Sequence, residues 1–419
     1  MGKENLILIT MDAVRPDHLS CYGYDKIRTS NIDLISEEGA LFEECICSSC
    51  LTPVSHASIL TGNNPPTHRV RHPFCKVGSK MISEILKENG YKTAGFVGIN
   101  FLSSQHGFNA GFDYFDEPTE ESSWNRKEYR KGEKKMNTLW GNWWVDRMLQ
   151  WFKECHSANF FIWGHYFEVH FLAEKYLLST GEIESGKLHE HAYYDAKIKY
   201  MDEKLFGPLI NILKDLKLWE NTTIVVTSDH GEKLGPRYPS WEDFYTNYPQ
   251  HKTMYDYDLK VPLIIKNKRL GKRKRVKQTV RAIDLVPTLL DLLDISISDK
   301  FDGESLMPLI HGEKFHELTA YAEELYEERG EGSLQAIRTS EHKLIRNITK
   351  NTEKLYNLRK DPKEKENVIN TSDAKEKILL QKFRETMDIF LQGYETETTF
   401  TEEEKIKIED RLRALGYIG

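Results

Sequence analysis

No apolar run in this 419-residue sequence reaches the roughly 18 residues that a membrane-spanning helix needs. The N-terminal run Leu6 to Thr10 is also too short for a signal-peptide core, and no small-residue cleavage site follows it. The cytoplasm is therefore the expected compartment, and no membrane anchor is expected. Excess charge of one sign is lacking too. With 58 Lys and Arg against 65 Asp and Glu the formal charge is −7, which gives no reason to expect nucleic acid as a partner. One basic run, eight Lys or Arg between Lys266 and Lys277, reads as a solvated loop. Cysteine is scarce at six residues, and only Cys45-x-Cys47-x-x-Cys50 is clustered. A fourth ligand at metal-site spacing is missing, so these residues are expected to be reduced, small and buried. There is no internal repeat and no low-complexity segment.

What is present is alternation. Short apolar runs at Leu6–Thr10, Lys92–Val97, Asn159–Trp163, Thr223–Thr227 and Val261–Lys266 have strand length and nearby turn signals. Helical patterns lie between them, among them Met81–Asn89, Tyr193–Leu216 and Ala282–Leu293. This order predicts an α/β fold, a doubly wound, mostly parallel sheet with helices on both faces. After about residue 318 the pattern changes to short antiparallel strands (Gln335–Thr339, His342–Arg346, Lys354–Leu358) and a charged helix clearest at Ile378–Leu391. The expected domains are 1–318, catalytic, and 319–419, a smaller α+β unit. Between Glu117 and Trp151 lie Trp124, Trp140, Trp143, Trp144 and Trp151, readable as a lid, a contact surface or plain packing.

Ligands of doubly wound folds bind at the carboxyl ends of the strands. Asp12 and Asp229-His230 both fall just past a strand end. Thr52-Pro53-Val54-Ser55-His56 through Thr61-Gly62 reads as a turn that presents a hydroxyl at the start of a helix, where free N–H groups favour an anion. Two carboxylates, an imidazole and a hydroxyl make a mixed donor set suited to a divalent ion. Such an ion would lower the hydroxyl pKa and offset charge on an anionic ester.

The stretch Leu8-Ile9-Thr10-Met11-Asp12-Ala13-Val14-Arg15-Pro16-Asp17-His18-Leu19-Ser20-Cys21-Tyr22-Gly23 resembles the opening of the sulfatase family of the alkaline phosphatase superfamily. Further signposts follow in order: Thr52 to Gly62, His165-Tyr166-Phe167-Glu168-Val169-His170, Val226 to Glu232, His251, Asp284 to Leu290, and Phe301-Asp302-Gly303. The resemblance implies a divalent metal (zinc, manganese or calcium) held by Asp12, Thr52, Asp229 and His230, one ion expected and a second allowed. It implies that His165, His170 and His251 contact substrate oxygens or protonate the leaving group. His56 stands where the family motif has arginine.

The departures bear on the substrate. Sulfatases mature a Cys or Ser to formylglycine. Thr52 stands at that position, and its β-methyl prevents conversion to the aldehyde. The family's paired aspartates read Met11-Asp12, and its Asn after the later Asp is His230. The expected activity is metal-dependent hydrolysis of a small anionic ester, with Thr52 attacking a phosphate mono- or diester through a covalent intermediate. A true sulfuric ester hydrolase, a phospho-group transferase and a non-catalytic metal-binding relative are the alternatives. Oligomeric state is left open.

Overall fold

The computed structural model describes residues 3–118, 143–167, 169, 191–234, 253–296, 299–326, 332–392 and 400–414. In chain order its main elements are β1 (Asn5–Met11), α1 (Ser30–Glu37), β2 (Gly39–Ile46), α2 (Thr52–Thr61), α3 (Ile82–Glu88), β3 (Lys92–Val97), β4 (Tyr114–Asp116), α4 (Trp143–Cys155) and β5 (Phe160–Tyr166). Then come α5 (Ala192–Met201), which runs through a π-turn at Asp202–Phe206 into α6 (Gly207–Asp215), and β6 (Thr222–Ser228), β7 (Lys260–Lys266), β8 (Lys274–Val276), β9 (Val280–Arg281) and α7 (Leu285–Leu292). The C-terminal part holds β10 (Ala320–Glu324), β11 (Leu334–Arg338), β12 (His342–Asn347), β13 (Thr352–Asn357), α8 (Ala374–Leu391) and α9 (Glu402–Ala414).

The large sheet runs β4-β3-β5-β1-β6-β7-β2-β8, with β9 also pairing β2. Its pairs are parallel except those made by β7 with β6 and β2. Every residue of β1 is buried, as a strand covered on both faces requires. Successive side chains alternate between the faces. Leu6 and Leu8 enter the core shared with α2, α3 and α7. Ile7, Ile9 and Met11 enter the opposite core, shared with α1, α4, α5 and α6. The doubly wound sheet and the smaller C-terminal sheet-and-helix unit expected from the sequence are both present.

The basic run is largely the exposed turn expected, except at Lys266 and in β8. Its Lys266 ends β7 with its ammonium buried against the Trp219 carbonyl. Arg273 meets Glu37, Arg275 meets Glu43 and Lys272 meets Glu38. None of the six cysteines forms a disulfide. Of the tryptophans, Trp124 and Trp140 lie outside the described residues, while Trp151 packs edge-on against Phe160 in the core.

The four-stranded antiparallel sheet β10-β11-β12-β13 turns Ile337, Leu344 and Leu355 toward Leu380, Phe383 and Met387 of α8. Its other face carries Ala336, Ile345 and Tyr356 into the main core. Two cations on that face are buried at the junction. Arg338 reaches Glu44 of β2 at 3.1 Å and Asp256 at 3.0 Å. Lys343 reaches Asp256 at 2.8 Å and Glu364 at 2.9 Å. Burial opposes ionisation of Asp256, but Lys343 and Arg338 outweigh it and hold the carboxyl well below its usual range. Removing one partner of such a buried network leaves uncompensated charge. Asp256→Ala should therefore lower the free energy of unfolding by about 3 kcal/mol in urea titrations. A loss below about 1 kcal/mol would mean that the network is dispensable.

Candidate active site

Period-two alternation brings three strands' polar residues to one place. On β1 the face that carries Leu6 and Leu8 continues to Thr10 and then Asp12. In the parallel register Thr10 lies opposite His165 of β5 on one side and Thr227 of β6 on the other. Trp163, two residues before His165, shares its face. Its indole N–H donates to the Thr10 hydroxyl at 3.1 Å, and His165 Nδ1 lies 3.0 Å from the same oxygen. Asp12 and Asp229 follow directly on β1 and β6, fully buried at the strands' carboxyl ends.

The two carboxylates sit on tightly tied turns. Asp12 N–H donates to the Tyr166 carbonyl at 2.9 Å. Ala13 is left-handed at φ 57°, a strained region for a residue with a Cβ. Its N–H donates to Asp229 Oδ1 at 3.2 Å and its carbonyl accepts from Tyr194 at 2.7 Å, so partners on both sides fix it. Ser228 Oγ bonds the carbonyls of Met11 and His230, joining the turns after β1 and β6. His230 Nδ1 donates to the Gly231 carbonyl at 2.8 Å, which leaves Nε2 aimed at the site. A glycine is needed at 231, because a Cβ there would lie 2.0 Å from the Tyr257 carbonyl oxygen.

Helix α2 supplies the hydroxyl. All ten of its residues are buried, and its small Ser55, Ala57 and Ser58 permit that packing. No side chain caps its N-terminus, Pro53 occupies the first turn and Gly62 at φ 70° ends it. The Asp302-Gly303 signpost clamps that end: Asn64 N–H donates to Asp302, and Gly303 N–H to the Gly62 carbonyl. Residues 52, 55 and 56 share one helical face. Thr52 Oγ1 lies 3.4 Å from His230 Nε2. Ser55 donates to the Asp229 carbonyl at 2.6 Å. His56 Nδ1 donates to the Thr52 carbonyl at 2.8 Å, and its Nε2 lies 3.0 Å from the Thr10 hydroxyl.

The electrostatics call for a cation. Two carboxylates removed from water are costly unless paired or metal-bound. Asp229 Oδ2 and His165 Nε2 are buried with no hydrogen-bond partner among the described residues. Burial, then the neighbouring His165 charge, pulls the His56 pKa down to about 3, and burial pulls His165 down to about 4. Burial also pulls on His230, but Asp229 and Asp12 outweigh it and raise its pKa. Donor atoms of Asp12, Asp229 and His230 lie within 4.8 Å of one another, as do those of His56, His165 and Asp229. In each of the pairs Thr52–His230 at 3.4 Å, His230–Asp229 at 3.5 Å and His165–Asp12 at 3.5 Å, the two atoms are spaced as two ligands that share an ion. Donors 2.0–2.1 Å from a tetrahedral ion lie about 3.3 Å apart. The residues fit a divalent metal.

Of the residues singled out in the sequence, Asp12, Thr52, His56, His165, Asp229 and His230 come together. His170 and His251 lie outside the described residues. Met11 points into the opposite core. Thr10, Trp163 and Ser55, which tie the site together, were not anticipated. The one available signal was Thr10 interrupting an apolar strand on the face that leads to Asp12.

A family model described as Sulfatase matches residues 4–295, and one described as N-sulphoglucosamine sulphohydrolase, C-terminal, matches residues 246–389. The chain is similar to the uncharacterized sulfatase YidJ of Escherichia coli (strain K12), at 25% identity over 88% of this chain and 84% of that protein. It is likewise 25% identical to an arylsulfatase of Clostridium perfringens, over 90% of this chain and 92% of the relative. Among solved structures, the phosphonate monoester hydrolase of Agrobacterium radiobacter shares the fold with a TM-score of 0.73. That likeness covers 96% of this chain and 99% of the other, at 20% identity.

Behind α2, His68 accepts from Val70 N–H at Nδ1 and meets Ser58 Oγ at 2.9 Å through Nε2, so it is built in as the neutral ring. Burial, then Arg71, pulls its pKa down to about 3. The unfolded histidine binds protons more readily, so this contribution is complete above about pH 6.5 and is lost as the pH falls toward the folded value. Urea midpoints should fall with acidification below about pH 6.5, and His68→Gln should flatten that dependence. Identical slopes in the two proteins would assign the acid loss elsewhere.

Proposed function

Because the chain belongs to the sulfatase family and is an ester hydrolase, we propose that Thr52 is its nucleophile. We propose a phosphorus ester, a phosphate mono- or diester or a phosphonate monoester, as its substrate. The observation that carries this reading is the Thr52 hydroxyl at the uncapped N-terminus of α2, 3.4 Å from His230 Nε2 and beside the Asp12–Asp229 pair. Asp12, Thr52, Asp229 and His230 would hold the metal, zinc or manganese by the mixed oxygen and nitrogen donors. Bound there, a divalent ion supplies the charge that lowers the threonine pKa and offsets the anionic oxygens.

The chain's own groups do the rest. The α2 N-terminus favours an anion in front of Thr52 through its free N–H groups and dipole. His56 holds the Thr52 carbonyl, and Ser55 holds the backbone of Asp229, so hydroxyl and carboxylate keep one spacing. Attack forms a bond from Thr52 Oγ1 to phosphorus as the bond to the departing alcohol breaks and that alcohol takes up a proton. Water then attacks phosphorus, restoring the Thr52 hydroxyl and releasing the acid. His170 and His251 are proposed, from their sequence positions, to contact the substrate oxygens or to protonate the departing alcohol. A formylglycine hydrate can release sulfate by collapsing to the aldehyde. Threonine has no such exit, which is why phosphorus, open to attack by water, is favoured over sulfur. The likeness to an arylsulfatase makes a sulfate ester the second reading.

The test is turnover of aryl phosphate, bis-aryl phosphate, phenylphosphonate and aryl sulfate esters by zinc- or manganese-loaded protein. Thr52→Ala should reduce the best activity by at least about a thousandfold, and Thr52→Ser should retain part of it. Turnover unchanged in Thr52→Ala would remove the covalent mechanism. Turnover of the sulfate ester alone would select the second reading.

A further inference from the structure

Proton accounting around the Thr10 hydroxyl decides which buried histidine faces the metal. His56 Nδ1 lies 2.8 Å from the Thr52 carbonyl, which can only accept, so this nitrogen carries the proton. In the neutral ring Nε2 is then a lone pair, and the Thr10 hydroxyl 3.0 Å away must donate to it. The other acceptor in reach of that hydroxyl, the Gly164 carbonyl, is farther away at 3.4 Å. The Thr10 oxygen, its one proton used, has two lone pairs left. Trp163 N–H fills one at 3.1 Å. The second faces His165 Nδ1 at 3.0 Å, and an oxygen with no proton to give requires Nδ1 to bring its own.

Three consequences follow. His165 is the Nδ1–H tautomer, with its Nε2 lone pair unprotonated. That nitrogen is fully buried, without a hydrogen-bond partner among the described residues, and 3.5 Å from Asp12 Oδ2. Two buried acceptors at that distance repel one another unless a positive charge, a metal ion or a proton, lies between them. His56, by contrast, has both nitrogens committed and offers no lone pair.

We propose that His165 Nε2 is a metal ligand at this centre, beside Asp12 Oδ2 and the shared Asp229, and that Thr10 is the positioning residue that locks the ligating tautomer. This rests on the metal reading above and changes the part that His165 plays in it. Ligating histidines commonly fix their tautomer by donating the other ring N–H to an acceptor. Here the acceptor is a threonine hydroxyl whose own proton is drawn away by a second histidine. Three side chains from β1, α2 and β5 thereby set the state of one nitrogen.

The probe is zinc alone, with affinity measured by competition against a chelator. His165→Asn retains an N–H able to reach Thr10 but lacks the ligating nitrogen, and should weaken zinc binding by at least about tenfold. Thr10→Val should also weaken it, by roughly tenfold, with recovery in Thr10→Ser. Asp229→Asn is the reference. If Asp229→Asn loses zinc while His165→Asn matches the unaltered protein, this inference fails and the metal centre stands. If neither variant changes affinity, the metal centre itself fails. Long-range 1H–15N spectra of histidine-labelled, unsubstituted protein give an answer that no folding defect can confuse. His165 should show a protonated Nδ1 before zinc and a shifted Nε2 after it. A protonated Nε2 in the metal-free protein would overturn the assignment.

Discussion

Two carboxylates stand fully out of water at the ends of adjacent parallel strands, and the surroundings are organised by that fact. Asp12 and Asp229 follow β1 and β6 at the point where the chain leaves the sheet, so neither can retreat to solvent without breaking a central strand pair. A hydrophobic core tolerates such a pair only with compensation. Part is supplied locally, by Ala13 N–H and His230 N–H on Asp229 Oδ1. Burial holds His56 and His165 neutral, so among these histidines only His230, whose pKa Asp229 and Asp12 raise, offsets part of the charge. The balance is suited to a small, hard or borderline cation.

Much of this was legible in the sequence. The five apolar runs are strands, each within three residues of the expected ends, and the six site residues that can be placed converge. The reason is that strand ends and helix starts are local properties, written in runs and turn residues. What was not legible depends on register. Thr10 looks like one hydroxyl in an apolar strand, and only its alignment with His165 and Thr227 shows its partners. Strand β2 does not stand out among the apolar runs. It begins at Gly39 and lies inside the sheet, although Glu43 and Glu44 interrupt its apolar run. Glu44 is there to meet Arg338 and Lys260, charges contributed from more than 200 positions away, which no window of sequence brings together. Strand β10 does not stand out either, because Glu323 and Glu324 end its short run with two adjacent acids. Glu323 is buried against Arg71.

The C-terminal sheet enters this arrangement as a buttress. Its backbone joins the main domain through Glu323 N–H on the Ser48 carbonyl, four residues before Thr52. Arg71, Arg338 and Lys343 supply ion pairs across the same junction. Such contacts contribute less to gross stability than apolar burial would, but they admit few alternative alignments. The segment leading into α2 is thereby tied to the C-terminal sheet.

Helix α2 has no face toward solvent, and this has a kinetic meaning. Segments that open locally are those with exposed backbone and sparse packing, whereas fully enclosed ones exchange their amide hydrogens only when much of the molecule opens. The element that presents Thr52 belongs to the second kind. Its hydroxyl therefore keeps its position for as long as the domain stays folded, and accommodation of differently shaped esters falls to the loops around the site. Substrate range in this chain can drift by loop replacement, while the hydroxyl proposed to react stays where the sheet has put it.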